Sequence, residues 1–287
     1  MAAAPAPRHE RPVIVDSHVH LLPGRIGEKV RSFFTAGESR GGFTLAYPSD
    51  HGAVADRLVS EGVDEIWNLP YSHKTGVAEG LNQSSRATCD EFAGHRLSVV
   101  GGATVHPSDD DTAAVVERAV DVHGLRVLKL HCSVGDFPVD DDRLDGAYGV
   151  AQERRMPVVI HLGHAVNGLT EEHEIASIDR LCARYPRMPV ILAHFGHHSA
   201  HRAFALFGQH ANFHADLTPV VTAAPDVTTG MLLAHPDRIL FGTDAPNTAI
   251  PASSHMEWLR AFGAGAANES MILGGNARRL TDAVLTD

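Results

Sequence analysis

An Asp-x-His-x-His run, Asp16-Ser17-His18-Val19-His20, closes the first apolar stretch of the chain. In an extended strand, residues two apart share a face, so Asp16, His18 and His20 can all point the same way. Two imidazoles so spaced can grip one cation, and a carboxylate beside them can support them from behind. Alone the run is weak, because 20 of the 287 residues are histidine and chance copies are expected. Three later positions give it weight. The run PVVIH ends at His161, PVILAH at His194 and ILFGTD at Asp244. Each places a metal-capable side chain at the carboxyl end of an otherwise apolar run. A buried core histidine explains any one of these, but not four strand ends in chain order.

The elements that must position these groups are short and β-branched. Eight runs recur: 12–17, 64–69, 97–103, 126–131, 157–161, 189–194, 212–215 and 238–243, the seventh (NFHAD) being the weakest. Amphipathic helical patterns lie between most of them, including one capped by Ser49 and ended by Gly62, one over 112–120 and one over 174–185. Near-continuous apolar strands alternating with helices imply a parallel sheet covered on both faces. Eight such units fit a single-domain (β/α)₈ TIM barrel, in which residues at the carboxyl ends of strands form the active site. No linker or repeat divides residues 13–287, and residues 1–12 read as a disordered tail. Residues 21–49, rich in Gly, Phe and Arg, would be a lid or mouth loop, or equally a surface excursion or dimer contact.

Composition narrows the partners. The net charge of −11 and the lack of a basic stripe speak against nucleic acid. No GxGxxG or Walker loop follows the first strand. The three cysteines form neither a CxxC pair nor a disulfide framework, and neither an apolar leader nor an apolar span of membrane length is present. A cytoplasmic enzyme for a small molecule, with no membrane partner and with a homodimer as the prior, is the expectation.

The segments DSHVH, VVIH, ILAH, FGTDAP and GGNARRL, spanning about Val13 to Leu280, resemble the amidohydrolase superfamily. They are most similar to its amidohydrolase-related (family 2) branch, which includes aminocarboxymuconate-semialdehyde decarboxylase. The resemblance implies a divalent ion, zinc first and manganese or another ion next, on His18, His20 and His161. Asp244 would complete the site or hold its water and act as general base. His194 would be either a catalytic histidine or a ligand to a second ion, roles that exclude each other at one nitrogen. In binuclear members a strand-4 lysine is carbamylated and bridges two ions, and Lys129 in KLH resembles that position. Under the alternative reading Lys129 pairs with a carboxylate such as Asp16 or with an anionic substrate, and the site holds one ion.

His73, His106, His131 and His197 stand as candidates for the substrate pocket. Arg25, Arg31, Arg40 and Lys74 are candidate mouth cations. The leading function is a metal-dependent hydrolase cleaving an amide, cyclic amide, imine or lactone with an activated water. The alternative is a metal-dependent non-oxidative decarboxylase or hydratase acting on a small unsaturated or aromatic acid. A non-catalytic binding barrel ranks last, because every expected ligand position is filled.

Overall fold

The computed structural model describes residues 11–38, 44–162, 170–219 and 226–286. Eight strands are present: β1 (Val15–Val19), β2 (Glu65–Asn68), β3 (Ser98–Thr104), β4 (Val127–His131), β5 (Val158–His161), β6 (Val190–Leu192), β7 (Phe213–Asp216) and β8 (Ile239–Leu240). All neighbours pair in parallel and in sequence order, β1 through β8. The chain is a (β/α)₈ barrel.

Helices cover the outside. The first are α1 (Gly24–Glu38), α2 (His51–Ser60), α3 (Ala78–Glu91) and α4 (Thr112–Asp121). After β4 come the one-turn α5 (Cys132–Gly135) and α6 (Asp145–Arg154). Then follow α7 (Glu171–Arg184), α8 (Ala200–Gln209), α9 (Thr229–Ala234), α10 (Ala252–Ala261), α11 (Ala266–Ser270) and α12 (Asn276–Asp282). No helix among the described residues is long and apolar enough to cross a membrane.

Three local expectations are corrected. Within residues 21–49, expected as loop, α1 occupies 24–38. The α2 cap is Asp50 rather than Ser49, its carboxylate accepting the Ala53 N–H at 2.8 Å. Strand β8 has two residues where six were expected, and its continuation to Asp244 is held by isolated hydrogen bonds. Of the expected tail, residues 1–10 lie outside the described residues, while Arg11 forks onto Asp64 at 2.7 and 2.5 Å.

Alternation along the strands separates two cores. On β4, Leu128 and Leu130 pack outward in the large cluster shared with the helices. Val127 instead packs inward with Val15, Trp67, Val159, Ile191 and Leu240. Period-2 geometry therefore stands Lys129 and His131 above Val127 inside the barrel. The β1–β2 register shifts between Asp16 and Val19, which lets Val15 and His18 both face inward. An apolar plug fills the barrel floor, and polar groups are stacked over it.

The seam between β1 and β8 is closed by single contacts. The Ser17 N–H donates to Phe241 O at 2.9 Å, Asp244 N–H to His18 O at 2.8 Å, and His20 N–H to Ala245 O at 2.8 Å. The GGNARRL segment clasps this seam from below. Asn276 Nδ2 donates to Pro236 O at 2.7 Å and Ile239 O at 2.8 Å. Gly274 lies so close to β1 that a Cβ there would sit 2.1 Å from Val13 O. Gly274→Ala should lower the unfolding free energy by about 2 kcal/mol, as for other overpacked sites, read as a lower urea midpoint.

His255 of α10 is fully buried, sandwiched between Phe241 at 5.2 Å and Trp258 at 5.1 Å. Among the described residues neither ring nitrogen has a hydrogen-bond partner of good geometry, although the Leu217 backbone is nearby. Burial holds its pKa down to about 4. The unfolded chain takes up this proton near the ordinary histidine pKa and the folded chain does not, so stability is lost as pH falls from about 6.5 toward 4. His255→Phe should remove about 2–3 kcal/mol of the stability lost between pH 7 and 4.5. Urea denaturation at both pH values measures it, and an unchanged pH slope would refute it.

Candidate metal centre

Four histidines at the barrel mouth share one pattern of ring hydrogen bonding. His18 Nδ1–H donates to Asp216 Oδ2 at 2.9 Å, and His20 Nδ1–H to Leu69 O at 2.7 Å. His161 Nδ1–H donates to Leu162 O at 2.6 Å, and His194 Nδ1–H to Thr218 O at 3.1 Å. Carbonyls and ionised carboxylates only accept, so each partner fixes the proton on Nδ1 and leaves the lone pair on Nε2. Ligating histidines are oriented in this way in metal sites.

Asp244 lies among these lone pairs. Its Oδ1 is 3.0 Å from His20 Nε2 and 3.8 Å from His18 Nε2. A neutral imidazole Nε2 and a carboxylate oxygen are both acceptors, so a proton or a cation must stand between them. Donor atoms of His18, His194 and Asp244 lie within 4.8 Å of one another, all buried. Two imidazoles and a carboxylate, with His20 alongside, are a donor set that fits a divalent ion. Burial alone would raise the Asp244 pKa, but a proton on His20 Nε2, standing where a cation would, and the nearby imidazoles hold it down at about 2.

Lys129 is fully buried, with Nζ 3.1 Å from His18 Nε2. Burial lowers its pKa to about 8, against the opposing pull of Asp216 and Asp244. It does not pair with Asp16. Asp16 instead accepts the Thr243 hydroxyl at 2.6 Å and the N–H groups of Thr243 and His18 at 2.9 and 3.2 Å. It therefore supports the backbone of both ligand strands and not the imidazole rings.

Asp216, at the end of the weakest predicted strand, was not anticipated. It is fully buried and uses both oxygens: Oδ2 holds His18, while Oδ1 accepts His194 N–H at 2.8 Å and Thr218 N–H at 3.1 Å. Burial opposes its ionisation, yet the His18 interaction and hydrogen bond hold its pKa far below the usual carboxylate range. The His194 contact matters because His194, Phe195 and Gly196 run left-handed, with φ of 55°, 48° and 74°. Such backbone costs on the order of 1 kcal/mol per non-glycine residue and persists only when its surroundings fix it. Asp244 is also left-handed, with φ of 69°, and is tied through its N–H to His18 O. Gly242 makes room below, since a Cβ there would meet Thr218 Oγ1 at 2.3 Å and His18 Cβ at 2.8 Å.

The histidine rings continue outward from this centre. His161 lies 4.8 Å from His194 between ring centres and stacks on His131 at 4.0 Å. A cavity of about 450 Å³ opens onto His20, His131, His161 and Asp244. His131 lines that cavity. His73 is exposed and does not line this cavity. His106 is turned away: its Nε2–H donates to Gly135 O at 3.1 Å and its ring meets Phe137 at 5.5 Å. The His197 side chain and Arg40 lie outside the described residues. Tyr71, 5.3 Å from the His20 ring and 4.9 Å from His131, and the α1 residues Phe33 and Phe34 are wall residues that sequence reading missed.

Residues 15–281 match the family described as Amidohydrolase. The chain belongs to that family. It is an enzyme of the amidohydrolase superfamily, which is generally dependent on divalent metals. No curated protein sequence matches it significantly. Solved amidohydrolase-like barrels share the fold at low identity. An uncharacterized TIM-barrel protein from Bordetella bronchiseptica is 18% identical, with 94% of this chain and 98% of that one covered and a TM-score of 0.71. The 5-carboxyvanillate decarboxylase of Sphingomonas paucimobilis gives 15%, 96% and 99%, with a TM-score of 0.63. The dihydroorotase of Campylobacter jejuni gives 12%, 95% and 84%, with a TM-score of 0.61.

The Asp216 clamp can be tested directly. In Asp216→Asn an amide N–H can face His18 Nδ1–H, which favours the tautomer with the proton on Nε2, where it blocks coordination. Zinc affinity measured by competition with a chromophoric chelator should fall about 10–100-fold, as for other removed supports of ligating histidines. An unchanged affinity would show that Asp216 does not set the His18 tautomer.

Proposed function

We propose that this amidohydrolase family member is a metal-dependent hydrolase acting on an amide, cyclic amide, imine or lactone of a small molecule. The observation that carries the reading is the gathering of donor atoms of His18, His194 and Asp244 within 4.8 Å of one another, with His20 Nε2 3.0 Å from Asp244 Oδ1, beside an open cavity that His161 also lines. His18, His20, His161 and Asp244 would hold the ion, zinc first, with His194 near enough to join them or to act on substrate. A divalent ion there supplies Lewis-acid polarisation and lowers the pKa of a coordinated water toward neutrality.

The chain's own groups do the rest. Asp244 Oδ1 faces His20 Nε2 at 3.0 Å, and its carboxylate is the acceptor at the site for a proton from water. His194 is fixed by Asp216 at its N–H and by Thr218 O at Nδ1. With Nε2 uncoordinated it would exchange a proton with substrate. A second ion would take up His194 and a carbamylated Lys129, and that role would be lost.

A second reading has one observation in its favour. The Lys129 amine lies at the site floor beside His18 and, as an ammonium, offers a counter-charge to a substrate carboxylate. Non-oxidative decarboxylation or hydration of a small acid would use it.

Metal counting and turnover separate the readings. Zinc- or manganese-loaded protein should hydrolyse members of a lactone and cyclic-amide panel, and Asp244→Asn should lower kcat by about 100-fold or more. His161→Ala should lower the metal content found by mass spectrometry. Fully loaded protein that hydrolyses nothing, together with an unaltered metal content in His161→Ala, would end the hydrolase reading. CO₂ release from an unsaturated or aromatic acid, without hydrolysis, would establish the second.

A further inference from the structure

Helix α1 has two unlike faces, and each lines a cavity at the barrel mouth. Val30, Phe33 and Phe34, at i, i+3 and i+4, border the 450 Å³ cavity over His131 and His161. Gly27, Glu28, Arg31, Ser32 and Thr35 follow the same spacing on the opposite face and border a second cavity of about 540 Å³. Both cavities reach His20 and Asn247. The helix is therefore a wall across the mouth, apolar on one side and polar on the other.

The apolar chamber has two properties that bear on its occupant. Five large hydrophobic side chains are exposed among the described residues, and two of them, Phe33 at 77% and Val134 at 43%, border this one cavity. With Val30, Phe34 and Tyr71 they make an apolar collar above the histidines. No Lys or Arg lines the chamber among the described residues, and Asp244 is at its floor. Lys129 is fully buried and donates to His18. Arg31 faces the other chamber, and its terminal nitrogens donate to Pro48 O at 3.1 Å and Tyr47 O at 2.9 Å. A carboxylate seated in the collar would lose water and gain no counter-charge from the described residues that line it, which is costly.

We propose that the site selects substrates whose group distal to the reacting carbon is an uncharged, ring-sized apolar moiety held between α1 and Val134. It turns away those carrying a carboxylate there. This deepens the metal-dependent reading and rests on it.

Three hydroxamates of graded tail test the chamber separately from the metal. Titration calorimetry of the zinc-loaded protein should show benzohydroxamate binding about tenfold or more tighter than acetohydroxamate, with 4-carboxybenzohydroxamate losing that gain. Phe34→Ala should erase the benzo-over-aceto preference while leaving acetohydroxamate affinity in place. Val134→Lys, at a partly exposed position, should restore binding of the carboxylated compound. If acetohydroxamate binds only with zinc present but the benzo compound binds no tighter, the chamber proposal falls and the metal centre stands. Equal affinity for the carboxylated and plain benzo compounds in the unsubstituted protein refutes the charge selection. Failure of acetohydroxamate to bind in a zinc-dependent way overturns the metal reading and this one together.

Discussion

One carboxylate organises the mouth of this barrel. Asp216 donates no bond and accepts three, and those three join β1, β6 and the turn after β7 at a single buried point. Its charge is costly to bury, and the cost is offset because both oxygens accept hydrogen bonds. In return His18 has a fixed tautomer and His194 is kept in a backbone conformation that a non-glycine residue seldom adopts. Removing that carboxylate leaves two ligand strands with unsatisfied donors facing each other. The strained β6 turn and the β1 imidazole thus share one support.

The division of the interior explains how such a polar cluster is tolerated. Below it, Val127, Trp67, Val159, Ile191 and Leu240 form a dry plug. Above it, α1 divides the entrance without sealing it, and the one-turn α5 borders one side. The charges therefore sit where one side is packed and the other is open to a ligand. This places them at the carboxyl ends of the strands, where barrel enzymes carry their chemistry.

Much of this was legible in the sequence because two simple periodicities carried it. Residues two apart on a strand put His18 beside His20 and Lys129 beside His131, and strand ends singled out His161, His194 and Asp244 from the other histidines. Asp216 escaped notice because its run, NFHAD, has two apolar residues in five, too few to stand out as a barrel strand. Its position as the last residue of β7 was the signal that could have found it. Helix α1 escaped because its apolar residues face a cavity and are too few to resemble a core stripe, and because glycines flank its start. His73 and His106 were named from closeness to strand ends, but side-chain direction decided against them. Hydrogen-bond partners of ring nitrogens, which define the four-histidine pattern, depend on contacts up to 198 residues apart in the chain and leave no local trace.

The seam between β1 and β8 has a consequence for the order in which the protein comes into being. His18 and His20 are made well before Asp244, and the backbone bond that closes the seam, from Ser17 N–H to Phe241 O, spans 224 positions. Asn276 and Gly274, which brace that seam, emerge later still. A nascent chain that has not reached residue 244 has the histidine pair but neither its opposing carboxylate nor the clasp that holds the pair against it. The complete donor set therefore exists only once both strands of the seam and their clasp are in place, and occupancy of the centre doubles as a sign that the seam has closed.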